Sequence, residues 1–185
     1  MQVYLETERM RLRRFTANDA ELLIDLDSDP EVMRYISGGT PSDPVRIRTR
    51  TMPSILKDYE KGERYGMWVA ELKSNGDFIG WFHFWPSKAE PHDIEVGYRL
   101  RRAFWGQGLA TEGTLALIRK GFDQYGLARI VARTLKANLA SQRVMEKAGM
   151  RYVEGADYFE AGHPGSPPAV WYEITRNAEP SRGPG

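Results

Sequence analysis

The sequence predicts one α/β domain, and three observations carry that prediction. Its 185 residues are 41% hydrophobic and 28% charged, which suits one sizeable core and is too little for two comfortable ones. Two strand-like runs flank Asn75-Gly76, the strongest short signal for a β-hairpin. A third strand-like run, "IEVGYRL" (94–100), leads through a glycine loop directly into a helix-like segment.

The elements follow in chain order. "ERMRLRRF" (8–15) alternates Met10, Leu12 and Arg14 against Arg11, Arg13 and Phe15, the period of a strand with one polar side. Thr16 with Asp19 forms an S/T-x-x-D/E helix start, continued at helical spacing by Ala20, Leu23, Ile24 and Asp27. Pro30 opens a second short helix, "PEVMRYI", and "SGGTPSDP" (37–44) is a loop by its Gly, Pro and Ser content. A helix from about Val45 to Tyr59 comes next, with Pro53 placed to kink it.

"GMWVAEL" and "DFIGWFHFW" make the hairpin around "KSNGD", and the polar loop "PSKAEPHD" leads to the strand at 94–100. After the glycine loop a helix runs from about Ala110 to Tyr125, with Ala110, Thr114, Leu117, Ile118, Gly121 and Tyr125 on one face. "ARIVART" is strand-like, and "NLASQRVMEKAG" is a short helix closed by Gly149. "MRYVEG" and "AVWYEIT" read as a final antiparallel pair around "FEAGHPGSPP". The domain is expected to span 1–176, with 177–185 ("NAEPSRGPG") a loose tail without core material.

Composition limits the function. Lys+Arg (26) and Asp+Glu (25) leave a formal charge of +1, so no global field favours nucleic acid or an anionic membrane. An RNA-binding module would need a basic or aromatic-plus-basic motif. No apolar run approaches the roughly 20 residues that span a bilayer, and "MQVYLETERM" does not read as a signal peptide. Cys is absent, which excludes disulfides, zinc–thiolate sites and a cysteinyl acyl-enzyme, and suits a cytoplasmic protein. His83, His92 and His163 are far apart and follow no metal spacing, so no metal is expected.

The chemistry centres on "AFWGQGLATEG" (103–113). A Walker loop needs Lys-Ser or Lys-Thr after its glycines, and none follows. A Rossmann loop needs a third glycine where Thr111 stands. What remains is a loop whose backbone N–H groups, at a helix N-terminus, hold a diphosphate, or else glycines that serve only a tight turn. About thirty residues on stands "NLASQRVMEKAGM" (138–150).

Together "WGQGLATEG" and "NLASQRVMEKAGM" resemble the GCN5-related N-acetyltransferases, and Trp105-Gly106 resembles their RimJ/RimL-like, ribosomal-protein branch. The likeness runs from about Leu5 to Ile174. It implies a mixed, mostly antiparallel sheet of six or seven strands, splayed near its middle and flanked by helices. It also implies acetyl-CoA as donor and an amine acceptor, with homodimers common in the family. The family's diphosphate signature falls on Trp105, Gly106, Gln107, Gly108, Leu109 and Ala110, with Thr111 following; Trp105 stands where Gln or Arg is usual. Tyr98, Arg99 and Leu100 are implied to bind the pantetheine arm through their backbone, and Asn138 to bond it from the next strand's end.

Acetyl transfer to an amine needs a base, a stabilised carbonyl oxygen and a proton for the departing thiolate. Glu95 alternates against Ile94, Val96 and Tyr98 and is the candidate base; a solvated strand carboxylate is the alternative. A backbone N–H near Val96 or Gly97 is the candidate oxyanion donor, with Gly97 allowing close approach; a glycine that marks a bulge is the alternative. Many family members place a Tyr seven residues after the Asn, where this chain has Met145, so Ser141 is the candidate acid, against a plain helix N-terminal serine. "WFHFW" reads chiefly as sheet packing, with Trp81 or Trp85 lining an acceptor pocket as the alternative. Arg101 and Arg102 are either CoA-phosphate partners or surface arginines. "SGGTPSDP" and "EAGHPGSPP" are expected to shape the acceptor site. The first acceptor expected is a protein N-terminal α-amine; the alternatives are an amino acid, polyamine or aminoglycoside, or CoA binding without turnover.

Overall fold

Alternating apolar positions from both halves of the chain pair into one eight-stranded sheet. The computed structural model describes residues 2–87, 93–154 and 168–176. The strands are β1 (Val3–Glu6), β2 (Met10–Arg14), β3 (Gly66–Leu72), β4 (Phe78–Pro86), β5 (Ile94–Leu100), β6 (Arg129–Leu135), β7 (Arg151–Tyr152) and β8 (Ala169–Thr175). Their order is β1-β2-β3-β4-β5-β6-β8-β7, and every neighbouring pair is antiparallel except β5–β6. The sheet has one strand more than the six or seven expected. Among the described strands, β1 was not anticipated, because "VYLE" is too short for a convincing period.

The helices are α1 (Ala20–Ser28), α2 (Pro30–Ser37), α3 (Pro44–Arg46), α4 (Met52–Asp58), α5 (Leu109–Asp123) and α6 (Leu139–Lys147). Thr16 N–H donates to Asp19 Oδ2 at 2.7 Å, so the predicted start before α1 forms. Asp29 accepts from Glu31 N–H and caps α2, with Pro30 at its first position. The helix expected over 45–59 is broken into α3, a wide π turn (Ile47–Thr51) and α4. Met52 N–H reaches back to Ile47 O, and Pro53, without an N–H, cannot continue the normal ladder.

At the hairpin, Gly76 takes a left-handed φ of 78° and Asn75 Oδ1 accepts from Asp77 N–H at 3.0 Å. Two cores sandwich the sheet. One packs Phe82, Phe84, Ile94, Val96 and Ile130 against α5 and α6, and the other packs Val69 and Trp81 against α1, α2 and α4. Beside the second core, Arg13 grips Asp19 bidentately at 2.8 and 2.9 Å and Glu71 at 2.7 Å. Among the described residues no helix is long and apolar enough to cross a membrane.

Candidate active site

The parallel seam is where the site forms. β5 and β6 are in register only at Ile94–Ile130 and Glu95–Val131, after which they diverge. The gap opens into a cleft of about 1060 Å³. Val96, Gly97 and Tyr98 line it from β5, Thr134 and Leu135 from β6, and Asn138 and Ser141 from the start of α6. The far wall is α2, the π turn and Ser37, Thr40, Pro41, Ser42 and Asp43, so the "SGGTPSDP" loop borders the cleft. Of "EAGHPGSPP" only Pro168 is described, and His92 and His163 lie outside the described residues.

Glu95 stands at the point of divergence, on the sheet face opposite Ile94 and Val96. Its side chain is 14% exposed, and the carboxylate meets Arg133 Nε at 3.3 Å. Asn138 caps α6 by accepting from Ser141 N–H at 3.2 Å. The Ser141 hydroxyl meets the Tyr98 phenol oxygen at 2.9 Å, and Tyr98 also donates to Ser141 O at 3.2 Å. Burial pushes the Tyr98 phenol up to about 12, with the Ser141 bond working the other way, so it stays protonated at neutral pH. Met145, one turn further along α6, is buried and carries no titratable group.

The glycine loop lies beyond the end of β5, outside the cleft's lining. Gly106 and Gly108 take left-handed φ values of 74° and 78°, which L side chains rarely adopt. Glu112 N–H bonds Gly108 O at 2.9 Å and starts the ladder of α5; among the described residues the N–H groups of 106–111 have no backbone acceptor. Six unpaired donors curled around a helix N-terminus fit a diphosphate. Leu109 is buried against the core and anchors the turn. Trp105, 46% exposed, donates Nε1–H to Leu100 O at 2.8 Å, tying the loop to the strand end. Gln107 Nε2 bonds Ala103 O at 2.9 Å within the same turn.

Sequence reasoning missed the clasp on this loop. Arg9, from the β1–β2 turn, donates to Gln107 O at 2.9 Å and meets Glu112 Oε2 at 2.6 Å. Partial burial would raise the Glu112 carboxyl, but Thr7 and the Arg9 backbone and guanidinium outweigh it and hold it below its ordinary range. The one acid in the first turn of α5 is therefore compensated rather than facing an incoming phosphate. Arg101 and Arg102 instead engage Asp25 and Asp29, and Arg99 engages Asp27. These bonds hold the C-terminal half of α1 and the residue after it to the end of β5.

His83 also lines the cleft, only 9% exposed, opposite Gly97 in the β4–β5 register. Burial, then Arg99 and Arg133, bring its imidazole down to about 3, so it is neutral.

A cleft at the splayed parallel pair, with a helix N-terminus of unpaired N–H groups beyond the end of β5, has the form of a site for a long ligand that carries phosphate. Residues 9–151 match the family model of the acetyltransferase (GNAT) domain, and the chain belongs to that family. It is 31% identical over 185 residues to the FsC-acetyl coenzyme A-N(2)-transacetylase of Aspergillus fumigatus, covering 95% of this chain and 77% of the relative. A GNAT-family acetyltransferase from Bacillus anthracis superposes with a TM-score of 0.73 at 26% identity, covering 94% of this chain and 98% of that one. RimL, a ribosomal alpha-N-protein acetyltransferase solved with coenzyme A, shares the fold at TM-score 0.74 and 15% identity, covering 94% and 98%. The protein is an acetyl-CoA-dependent N-acetyltransferase.

Proposed function

We propose that the acceptor is an α-amine and that Glu95 takes its proton. The Glu95–Arg133 pair at the mouth of the splay carries this reading. A carboxylate is a weak base beside any amine. It suffices for an α-amine, with a pKa of about 7.7–8.0, and is poorly matched to an alkylamine at about 10.4. Acetyl-CoA supplies the activated acyl group, with its diphosphate on the N–H groups of 106–111 and its arm along Tyr98, Arg99 and Leu100. The backbone N–H of Val96 or Gly97 stabilises the carbonyl oxygen as it gains charge. Ser141, backed by the Tyr98 hydroxyl, gives a proton to the sulfur as the C–S bond breaks, and Asn138 holds Ser141 in place.

The first acceptor class is a protein N-terminus, supported by Trp105-Gly106, the pattern of the RimJ/RimL-like branch. A small-molecule α-amine is the second, favoured by the name of the Aspergillus relative. Polycationic acceptors fit less well, because two of the three cleft carboxylates, Asp27 and Glu95, are each matched by an arginine, and the third, Asp43, caps α3 by accepting from Val45 N–H. The absence of cysteine supports a cytoplasmic setting. A thiol-release assay against N-terminal peptides, small α-amino amides and ω-alkylamines tests the proposal. α-Amines should react well ahead of alkylamines at neutral pH; equal or reversed rates refute it.

A further inference from the structure

Four buried nitrogens on one wall of the cleft have no partner among the described residues: Nδ1 and Nε2 of His83, Nε1 of Trp85 and Nε of Arg99. All three side chains line the cleft. The β4–β5 register puts them on one sheet face, with Trp85 opposite Glu95, His83 opposite Gly97, and Trp81 opposite Arg99. Orphaned buried polar atoms are uncommon in native proteins, and a group of them on a cavity wall calls for a cause. The transfer chemistry above uses none of them.

Their positions are built. The His83 ring stacks with Trp81 and Trp85, at centroid separations of 5.4 and 4.4 Å. Its Nε2–Cε1 edge comes up against β5 because residue 97 is glycine; a Cβ there would stand 2.5 Å from His83 Nε2 and 2.6 Å from its Cε1. Asp27 holds the Arg99 guanidinium and so sets the direction of its Nε–H. Trp85 Nε1 and Arg99 Nε can only donate, and a neutral imidazole has one donor and one acceptor. Three unmet donors therefore lie in this wall against a single unmet acceptor.

We infer that this wall is a subsite for the acceptor, reading a carbonyl-type oxygen carried beside the reacting amine. Trp85 lies directly across from Glu95, so one occupant presents its amine to the carboxylate and its oxygen to the neighbouring donors. A carboxamide suits the set, since its oxygen takes up to two of the donors, those of Trp85 and Arg99, and its N–H answers the lone acceptor on His83. The subsite rests on the α-amine reading and deepens it, because a carbonyl next to the amine is what distinguishes an α-amine from an alkylamine.

Calorimetry on protein saturated with coenzyme A tests it, with leucinamide and the shape-matched alkylamine in which an isopropyl group replaces the carboxamide. Leucinamide should bind at least about tenfold more tightly, since a site built around donors rejects the analogue that leaves them unpaired. His83→Phe keeps the stacked ring and Trp85→Phe keeps most of the apolar surface; each should cut the preference to about twofold or less while coenzyme A affinity holds. Equal binding of the two amines by the native protein, or a preference that survives in both variants, overturns the subsite. Binding is read without turnover, so the two proposals fail separately. Preferred binding of leucinamide without acetylation refutes the acceptor reading alone, and acetylation without preference refutes the subsite alone.

Discussion

Replacing Glu95 by Gln tests the base most directly. Gln keeps the size of the side chain and an oxygen for Arg133, which lies 3.3 Å from the carboxylate, so the wall of the cleft should hold its shape. What is lost is the ability to take a proton. At about pH 7 an amine of pKa near 8 is neutral in about one molecule in eleven. Supplying the neutral form is thus worth about tenfold, and removing the proton during attack adds at least another factor of about ten. The expected loss in kcat/KM is about 100-fold, or roughly 2.7 kcal/mol of transition-state stabilisation. The assay is thiol release with an α-amino amide from about pH 7 to pH 9.5, where the amine supplies its own neutral form and the deficit should shrink about tenfold. Acetyl-CoA affinity by calorimetry should be unchanged. A variant within about threefold of the native rate at neutral pH refutes the base role, and a deficit constant across pH restricts Glu95 to orienting the amine.

His83 should shape acid stability. Its folded pKa, brought down to about 3 chiefly by burial, lies below the unfolded value, so only the unfolded chain takes up a proton as the pH falls. The His83 contribution is fully present above about pH 6.5 and is lost as the pH drops toward 3, a swing of roughly 3–5 kcal/mol. Denaturant titrations should show a shallower acid limb for His83→Phe than for the native protein; identical limbs would contradict the burial argument. Ser141→Ala should lower kcat by about 10- to 100-fold and Tyr98→Phe by less, with acetyl-CoA affinity preserved in the latter. Equal and complete loss of activity in both would point to a structural collapse of the pair, checked by thermal unfolding. Arg9→Ala frees Gln107 O and Glu112 and should weaken acetyl-CoA binding by about 3- to 10-fold by calorimetry. No change would mean that the loop holds its shape without the clasp.

Much of this arrangement was legible in the sequence, because periodicity and turn chemistry are local. The hairpin at Asn75-Gly76, the strand at 94–100 and the helix behind the glycine loop all form where their spacing puts them. The π turn was foreshadowed by Pro53, whose missing N–H predicts a disturbance without its kind. What stayed hidden is long-range. Arg9 and Glu112 are 103 residues apart, Tyr98 and Ser141 43, and Glu95 and Arg133 38, and no local pattern marks one as the partner of the other. Arg101 and Arg102 illustrate the same limit. Their proximity to the loop suggested phosphate, whereas Asp25 in α1 and Asp29 just after it claim them from more than seventy residues earlier. His83 was visible only as an alternating residue in an aromatic strand; its unpaired nitrogens are a property of the assembled wall.

The short β5–β6 ladder has a mechanical consequence. Two residue pairs are the whole of the described strand pairing between β1–β5 and the β6–β8–β7 set. The sheet is thus two leaves on a narrow hinge, with α5 as the other strap between them. A donor arm lying along Tyr98 and Leu100 would occupy the wedge and stiffen both leaves at once. Amide exchange along residues 132–135 should then slow when coenzyme A binds, and unchanged exchange there would show that the hinge is rigid without it. In such a molecule the reactant is also a splint, and its departure after each turnover would let the two leaves relax.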